Sequence, residues 1–289
     1  MIKKYKYTNI LGWSLSRYNR FISCKRRYFY DYYAKYDVCI SKEKIFFLKN
    51  LTSKNLEIGN IVHIIIKDIL KRYQKSSKTI NKDKFLRYIF NLVKDYYNSK
   101  FFFENYYKTE NIIFSDIYEK SIFIIKNFLN STKFKWIIEK AILYKDKWII
   151  EPEDFGETRI DNYKAFCKVD FLVPFSNKLY ILDWKTGKPK KEDHLKQLIS
   201  YSLWAIQNFN VNTESIVPLI SYLYPYYFEK NIKINIELIN KFKRNIKKET
   251  KDMYKYLIDI EKNIPKNKEE FPTSNNVYIC KYCNYKEIC

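Results

Sequence analysis

Asp183-Trp184-Lys185 sets a carboxylate and an ammonium two residues apart. On a β-strand, side chains at that spacing point to the same side. Asp170 lies thirteen residues earlier, in Cys167-Lys-Val-Asp-Phe-Leu-Val173. If the two segments form a hairpin, Asp170 comes close to Asp183. Two neighbouring carboxylates repel, and burial makes the repulsion worse. A divalent cation relieves it, and hard oxygen donors suit Mg²⁺ or Mn²⁺. Such an ion lowers the pKa of a bound water and neutralises phosphate charge. A lysine beside it stabilises charge that develops in a transition state. Taken alone, Asp-x-Lys in a hairpin is an ordinary surface ion pair, so its surroundings decide.

Three further features surround it. His63 follows Gly59 by four residues, early on an apolar helix. Gln197 and Tyr201 are four apart, on one face of the helix that follows the Asp-Trp-Lys strand. Cys280-x-x-Cys283-x5-Cys289 is a compact trio of ligands without a local fourth. Cys24 is the best candidate for that fourth. The N-terminus carries no apolar signal core, so metal ligation is expected rather than disulfides. The spacing fits Zn²⁺ or an iron–sulfur cluster equally. Cys39 and Cys167 read as ordinary buried cysteines. Glu157 reads as an exposed strand residue more readily than as an aid to the site.

In chain order, Gly59-Asn-Ile-Val-His63, Val169-Asp170, Asp183-Trp-Lys-Thr-Gly187 and Gln197-Leu-Ile-Ser-Tyr201 resemble the RecB-like branch of the PD-(D/E)XK nuclease superfamily. The resemblance implies that His63, Asp170 and Asp183 bind the catalytic metal, with help from the Trp184 backbone carbonyl. It makes Lys185 the catalytic lysine, and gives Gln197 and Tyr201 a supporting or DNA-contacting role. Ser16-Arg-Tyr-x5-Cys24 and the closing cysteine trio are similar to a subgroup that includes the CRISPR-associated exonucleases and exonuclease V. That likeness implies a [4Fe–4S] cluster on Cys24, Cys280, Cys283 and Cys289. It also implies an exonuclease acting on single-stranded or end-bearing DNA, in repair, recombination or CRISPR adaptation. A helicase or a CRISPR-adaptation protein is then a candidate partner. The competing reading is a non-catalytic, DNA-binding iron–sulfur subunit of a larger nuclease–helicase complex.

These residues need a scaffold, and the chain is long enough for one. It has 289 residues, 46% of them hydrophobic, which suits a folded globular protein. No apolar run approaches a membrane span, and a cytoplasmic protein is expected. The net charge of +22 suggests a polyanionic partner. Only eight of the 54 basic residues are Arg, so an A/T-biased coding sequence explains part of that charge. Two basic regions stand out even so, residues 1–36 and 229–251.

A helix is expected from Ser14 or Ser16 to Tyr36, and another after Gly59. Residues 80–145 read as helical and rich in aromatics. Strands are expected at 155–160, 165–174 and 179–184, with turns at Asp161-Asn162 and Ser176-Asn177. A helix at 193–209, a strand at 216–223 and a basic helix at 236–261 complete the series. This describes a mixed α/β core, which the resemblance makes a restriction-endonuclease-like sheet flanked by helices, with an N-terminal helical region. One nuclease domain over 1–289 is expected. Within it, 1–147 is mainly helical, 148–225 is the catalytic core, and 226–289 holds the basic helix and the cysteine trio. There is no Walker-type loop, so the chain carries no nucleotide motor of its own.

Overall fold

The computed structural model describes residues 2–76, 78–152, 156–189 and 191–289, without the Lys191 side chain. The helices in chain order are α1 (Leu15–Ser23), α2 (Lys25–Tyr33), α3 (Lys42–Lys49), α4 (Lys54–Lys75), α5 (Lys82–Ser99), α6 (Phe103–Tyr106), α7 (Phe114–Leu129), α8 (Thr132–Glu139), α9 (Lys191–Phe209), α10 (Ile236–Tyr254) and α11 (Val277–Lys281). The strands are β1 (Ile149–Ile150), β2 (Glu157–Ile160), β3 (Tyr163–Phe166), β4 (Phe171–Phe175), β5 (Lys178–Lys185), β6 (Ile216–Tyr222), β7 (Phe228–Asn231), β8 (Leu257–Asp259) and β9 (Ile264–Pro265). They fall into two compact units. The first spans Thr52–Gly156 and Lys168–Ile239; the second spans Ile2–Leu51, Glu157–Cys167 and Asn240–Cys289.

The first unit is built on a five-stranded mixed sheet in the order β1-β4-β5-β6-β7. β4 and β5 pair antiparallel, while β5 and β6 run parallel. The antiparallel pair closes through Ser176 and Asn177, both with positive φ. That is what a two-residue hairpin turn of matching twist requires. A parallel partner needs a crossover, and α9 supplies it between β5 and β6. β5 is buried along most of its length, as a central strand covered on both faces should be. α4 begins at the Ser53 cap, whose hydroxyl accepts from Leu56 N. Its stripe of Ile58, Ile61, Val62, Ile65, Ile66, Ile69 and Leu70 packs with α5, α7 and the sheet into one hydrophobic cluster. Within that cluster Trp184 meets the Phe128 ring edge-on at 5.2 Å.

The second unit holds α1 to α3, the β2–β3 hairpin, the β8–β9 hairpin, α11 and most of α10. β2 and β3 join through Asp161 and Asn162, again both at positive φ. Trp13 bonds to β3, donating its N–H to Lys164 O at 2.8 Å and accepting from Phe166 N at 2.8 Å.

Several expected boundaries move. The helix over 14–36 is interrupted at Cys24, which is extended (φ −163, ψ 117). Its N–H closes α1 on Arg20 O, and its Sγ accepts from Arg27 N to open α2. The strand expected over 165–174 is two strands, because β3 pairs with β2 and Trp13 whereas β4 pairs with β1 and β5. The basic helix stops at Tyr254, since Leu257 and Asp259 turn into a short hairpin with β9. The expected strand start at Phe155 lies outside the described residues. β1 and β7, the sheet's two edges, had no sequence signal of their own.

Phe128 is fully buried against Trp184 and Phe134. Phe128→Ala is expected to lower the unfolding free energy by about 3–5 kcal/mol, measured by urea denaturation. A loss under about 1 kcal/mol would show that this ring is not central to the cluster.

Candidate active site

Asp170 immediately precedes β4, and Asp183 lies near the end of β5. The strand register pairs Phe171 with Leu182. One further step of the same ladder sets Asp170 opposite Asp183. The hairpin therefore delivers the two carboxylates to one point from the two ends of a thirteen-residue interval. Asp170 Oδ2 accepts the Trp184 backbone N–H at 3.0 Å and stands 3.5 Å from His63 Nδ1. Lys185 Nζ lies 2.5 Å from Asp183 Oδ2 and donates to Gln197 Oε1 at 2.8 Å. Gln197 Nε2 in turn donates to the Tyr201 hydroxyl at 2.5 Å. All seven residues named for the site, from His63 to Tyr201, thus belong to one connected network in the first unit.

Each side chain arrives there for a local reason. Residues four apart share a helix flank, which puts Gly59 and His63 on one side of α4. A Cβ at Gly59 would stand 3.3 Å from Thr186 Oγ1. Glycine therefore lets α4 come close to the segment after β5, and His63 follows one turn later. Alternation along β5 sends Asp183 and Lys185 to one face and the Trp184 indole to the other, into the hydrophobic cluster. The spacing of four on α9 aligns Gln197 with Tyr201, whose ring is buried.

Asp183 is the electrostatic focus. Its residue exposure is 1%, and Oδ2 has no hydrogen-bond partner among the described residues, the Lys185 ammonium making an ion-pair contact only. Burial pushes its carboxyl up to about 6; Lys185 opposes this and Asp170 reinforces it. Asp170 goes the other way. Burial acts against its ionised form, but His63, Lys185 and the Trp184 N–H outweigh it and hold the carboxyl below its usual range. His63 is raised, the pull of Asp170 overcoming the cost of burial. Asp170 is thus held in its ionised form, whereas Asp183, with the Lys185 ammonium beside it, is still the more weakly ionised of the two.

That imbalance is the test of fit for a metal. A buried, unsatisfied carboxylate oxygen beside a second carboxylate and an imidazole suits a hard divalent cation. Among the described residues no three His, Cys, Asp or Glu side chains are gathered as a finished ion site. The donors present fit Mg²⁺ or Mn²⁺ by chemistry, and a cation there would relieve the repulsion between Asp170 and Asp183.

The sequence profile of the PD-(D/E)XK nuclease superfamily matches residues 12–289. The chain belongs to the PD-(D/E)XK nuclease superfamily. Membership implies phosphodiester hydrolysis, and nucleases of this superfamily usually use Mg²⁺ or Mn²⁺. The mixed sheet with helices around it is consistent with the restriction-endonuclease-like fold. No curated protein matches the chain. Among solved structures, the crystal structure of SSO0001 is similar over 65% of this chain and 78% of its own, at 18% identity and a TM-score of 0.31. That likeness is too distant to bear on function.

Two polar residues of this PD-(D/E)XK site escaped the sequence reading. His194 Nδ1 lies 2.7 Å from the Tyr222 hydroxyl. Tyr222 is the parallel-ladder partner of Lys185. His194 sits three residues before Gln197, and that spacing was a usable signal. Tyr222 had none, because only the parallel register brings it beside Lys185. Glu157 belongs to the β2–β3 hairpin of the second unit, where it pairs with Arg159 and lies 3.9 Å from Lys164.

The four cysteines named as cluster ligands all belong to the second unit. Cys24 and Cys283 are buried, Cys280 and Cys289 exposed. Burial raises the Cys289 thiol, and the Cys24, Cys283 and Cys280 thiols raise it further. Burial also raises Cys283; Arg27 opposes this and Cys24 adds to it. The Nε of Arg27 is buried with no hydrogen-bond partner. Among the described residues these thiols are not gathered into a metal-binding group. The C-terminal segment is tied to α2 by Tyr285 OH on Asp31 at 2.6 Å and by Tyr30 OH on Ile288 O at 3.0 Å. Cys167 is buried as expected. Cys39 is exposed, because it lies in a turn where the Asp37 carboxylate accepts the N–H groups of Cys39 and Ile40.

The raised Asp183 gives a signed prediction. Its folded pKa of about 6 exceeds the unfolded value. Ionised Asp183 therefore destabilises the metal-free fold above pH 6, and this cost fades as pH falls towards 4. Asp183→Asn is expected to stabilise the metal-free protein at pH 7.5 by roughly 1–3 kcal/mol, with the gain disappearing near pH 4. Thermal melts across pH measure it. Mn²⁺ should raise the melting temperature of the wild type and not of the variant. A variant less stable than wild type at pH 7.5 without metal would refute the buried-charge account.

Proposed function

We propose that this chain is a metal-dependent deoxyribonuclease of the RecB-like branch, an exonuclease acting on single-stranded or end-bearing DNA. The observation that carries the reading is the buried Asp183 carboxylate, unsatisfied at Oδ2 and flanked by Asp170, His63 and Lys185, in a chain of a nuclease superfamily. Asp183, Asp170, His63 and the Trp184 carbonyl would hold the ion. When bound, Mg²⁺ or Mn²⁺ activates a water and neutralises phosphate charge.

The chain's own residues do the rest. Asp170 is held by the Trp184 N–H, so its carboxylate cannot swing away. Lys185 is held at a fixed point by Gln197, and its ammonium faces charge that develops on phosphate oxygens in the transition state. Tyr201 fixes the orientation of the Gln197 amide, so that its oxygen faces the lysine. Positioned charge of this kind needs no reorganisation when the bond breaks.

The second unit would carry a [4Fe–4S] cluster on Cys24, Cys280, Cys283 and Cys289, with Zn²⁺ as the alternative. Four thiolates joining the α1–α2 break to the C-terminal segment would turn metal binding into folding energy. This supports a structural staple and not a redox role in cleavage. A place in repair, recombination or CRISPR adaptation, with a helicase or adaptation partner, accords with the absence of a nucleotide motor motif.

Labelled linear and circular single-stranded DNA, incubated with Mn²⁺ or Mg²⁺, tests the activity. Wild type should degrade the linear form faster, while Asp183→Ala and Lys185→Ala should each lose at least about a hundredfold in rate. Equal degradation by wild type and Asp183→Ala would sink the proposal. Salt-sensitive DNA binding without cleavage under either metal would support the non-catalytic subunit instead.

For the cluster, anaerobically purified protein should be brown and contain iron and acid-labile sulfide. Cys24→Ser should lose both and melt at a lower temperature. A colourless protein holding stoichiometric zinc would make the centre a zinc site.

A further inference from the structure

The outer face of α10 carries a row of cations that the site described above does not use. At about 100° per residue, Lys241, Arg244, Lys248 and Lys251 lie within an arc of about 80°. The opposite side of the helix holds Phe242, Ile246, Thr250 and Met253, all buried. Lys241, Arg244, Lys248 and Lys251 are exposed. Among the described residues no ion pair involves these four; Lys255 pairs with Asp252 at 2.7 Å. From Lys241 to Lys251 the row is about 15 Å long.

Of the three acids of α10, Glu237 shares the azimuth of the row one turn before Lys241, Asp252 borders it and pairs with Lys255, and Glu249 alone is directed elsewhere. Glu249 turns to the inner side, where its carboxylate accepts the Trp13 indole N–H at 2.7 Å. Glu237 stands in the first turn, where an acid suits the helix dipole. Lys247 and Lys243 widen the row on one side, so that every cation of α10 lies off the arc of Phe242, Ile246, Thr250 and Met253. Among these cations is Arg244, one of only eight arginines in the chain. Four exposed cations along one helix, with no ion pair among the described residues, complement a linear polyanion.

We propose that this α10 stripe is a docking track for the phosphodiester backbone of a single DNA strand. The choice of DNA rests on the nuclease reading; the polyanion chemistry does not. Lys241, Arg244, Lys248 and Lys251 would each neutralise backbone charge and release counterions, without reading base sequence.

The test uses the full chain with Lys241, Arg244, Lys248 and Lys251 all changed to Gln. A matched control changes four exposed lysines of the first unit, Lys82, Lys94, Lys126 and Lys140, to Gln. Binding of a fluorescent single-stranded oligonucleotide is measured by anisotropy in EDTA across KCl concentrations. The same preparations are melted, and are assayed for Mn²⁺-dependent cleavage.

The stripe variant should melt like wild type, bind at least about tenfold more weakly at low salt, and lose roughly 3 from the slope of log K against log salt. The control should lose little of either. A stripe variant whose slope matches wild type, or falls no further than the control, overturns the proposal. If the four-fold variant melts early, single Lys248→Gln and Arg244→Gln variants should each lower the slope by about 0.7; no change in either overturns it. A wild type that cleaves nothing while the stripe variant loses its salt-dependent binding refutes the nuclease reading and leaves the track standing.

Discussion

The first unit is organised around a charge that water cannot reach. Asp183 is a carboxylate on a central strand, covered on both faces, with a second carboxylate facing it across the ladder. Such a pair is costly to bury, and the surrounding residues divide the cost unequally. His63 and the Trp184 N–H serve Asp170; Asp183 has the Lys185 ion pair and an unmet oxygen. The polar network through Gln197 and Tyr201 then follows, because a half-buried ammonium must also be satisfied. Trp184, on the reverse face, anchors the same strand to the hydrophobic cluster. Chemistry and packing thus meet in three consecutive residues, and neither is adjustable without the other.

Much of this was legible in the sequence because it depends on short periods. Two-residue alternation placed Asp183 and Lys185 together, and a spacing of four did the same for Gln197 with Tyr201. The Ser176-Asn177 turn identified the hairpin that carries Asp170. What stayed hidden depends on long-range pairing or on unusual local bonds. Tyr222 stands beside Lys185 only through a parallel ladder formed across α9. The edge strands β1 and β7 are short and lack any alternating pattern. Cys24 ends one helix with its N–H and opens the next with its sulfur, a role that hydrophobic periodicity does not encode. The segment 165–174 alternates like one strand, yet its two halves answer to different partners.

The two units rest on different kinds of order. The first relies on apolar contact between α4, α5, α7 and the sheet. The second is rich in aromatic pairs and in long-range polar ties between α2 and the C-terminal segment, such as Tyr30 with Tyr285 and Tyr285 with Asp31.

The β4–β5 turn has a bearing on how such a site can vary over time. Its two residues fix the ladder, and the ladder fixes which side of the sheet Asp183 faces. Substitutions along residues 170–183 leave this parity alone. A single inserted or deleted residue would carry Asp183 to the far side, away from Asp170 and α9. The hairpin behaves as a ruler of set length: descendants of this chain can change its composition but not its count, and differences in chain length must accumulate elsewhere.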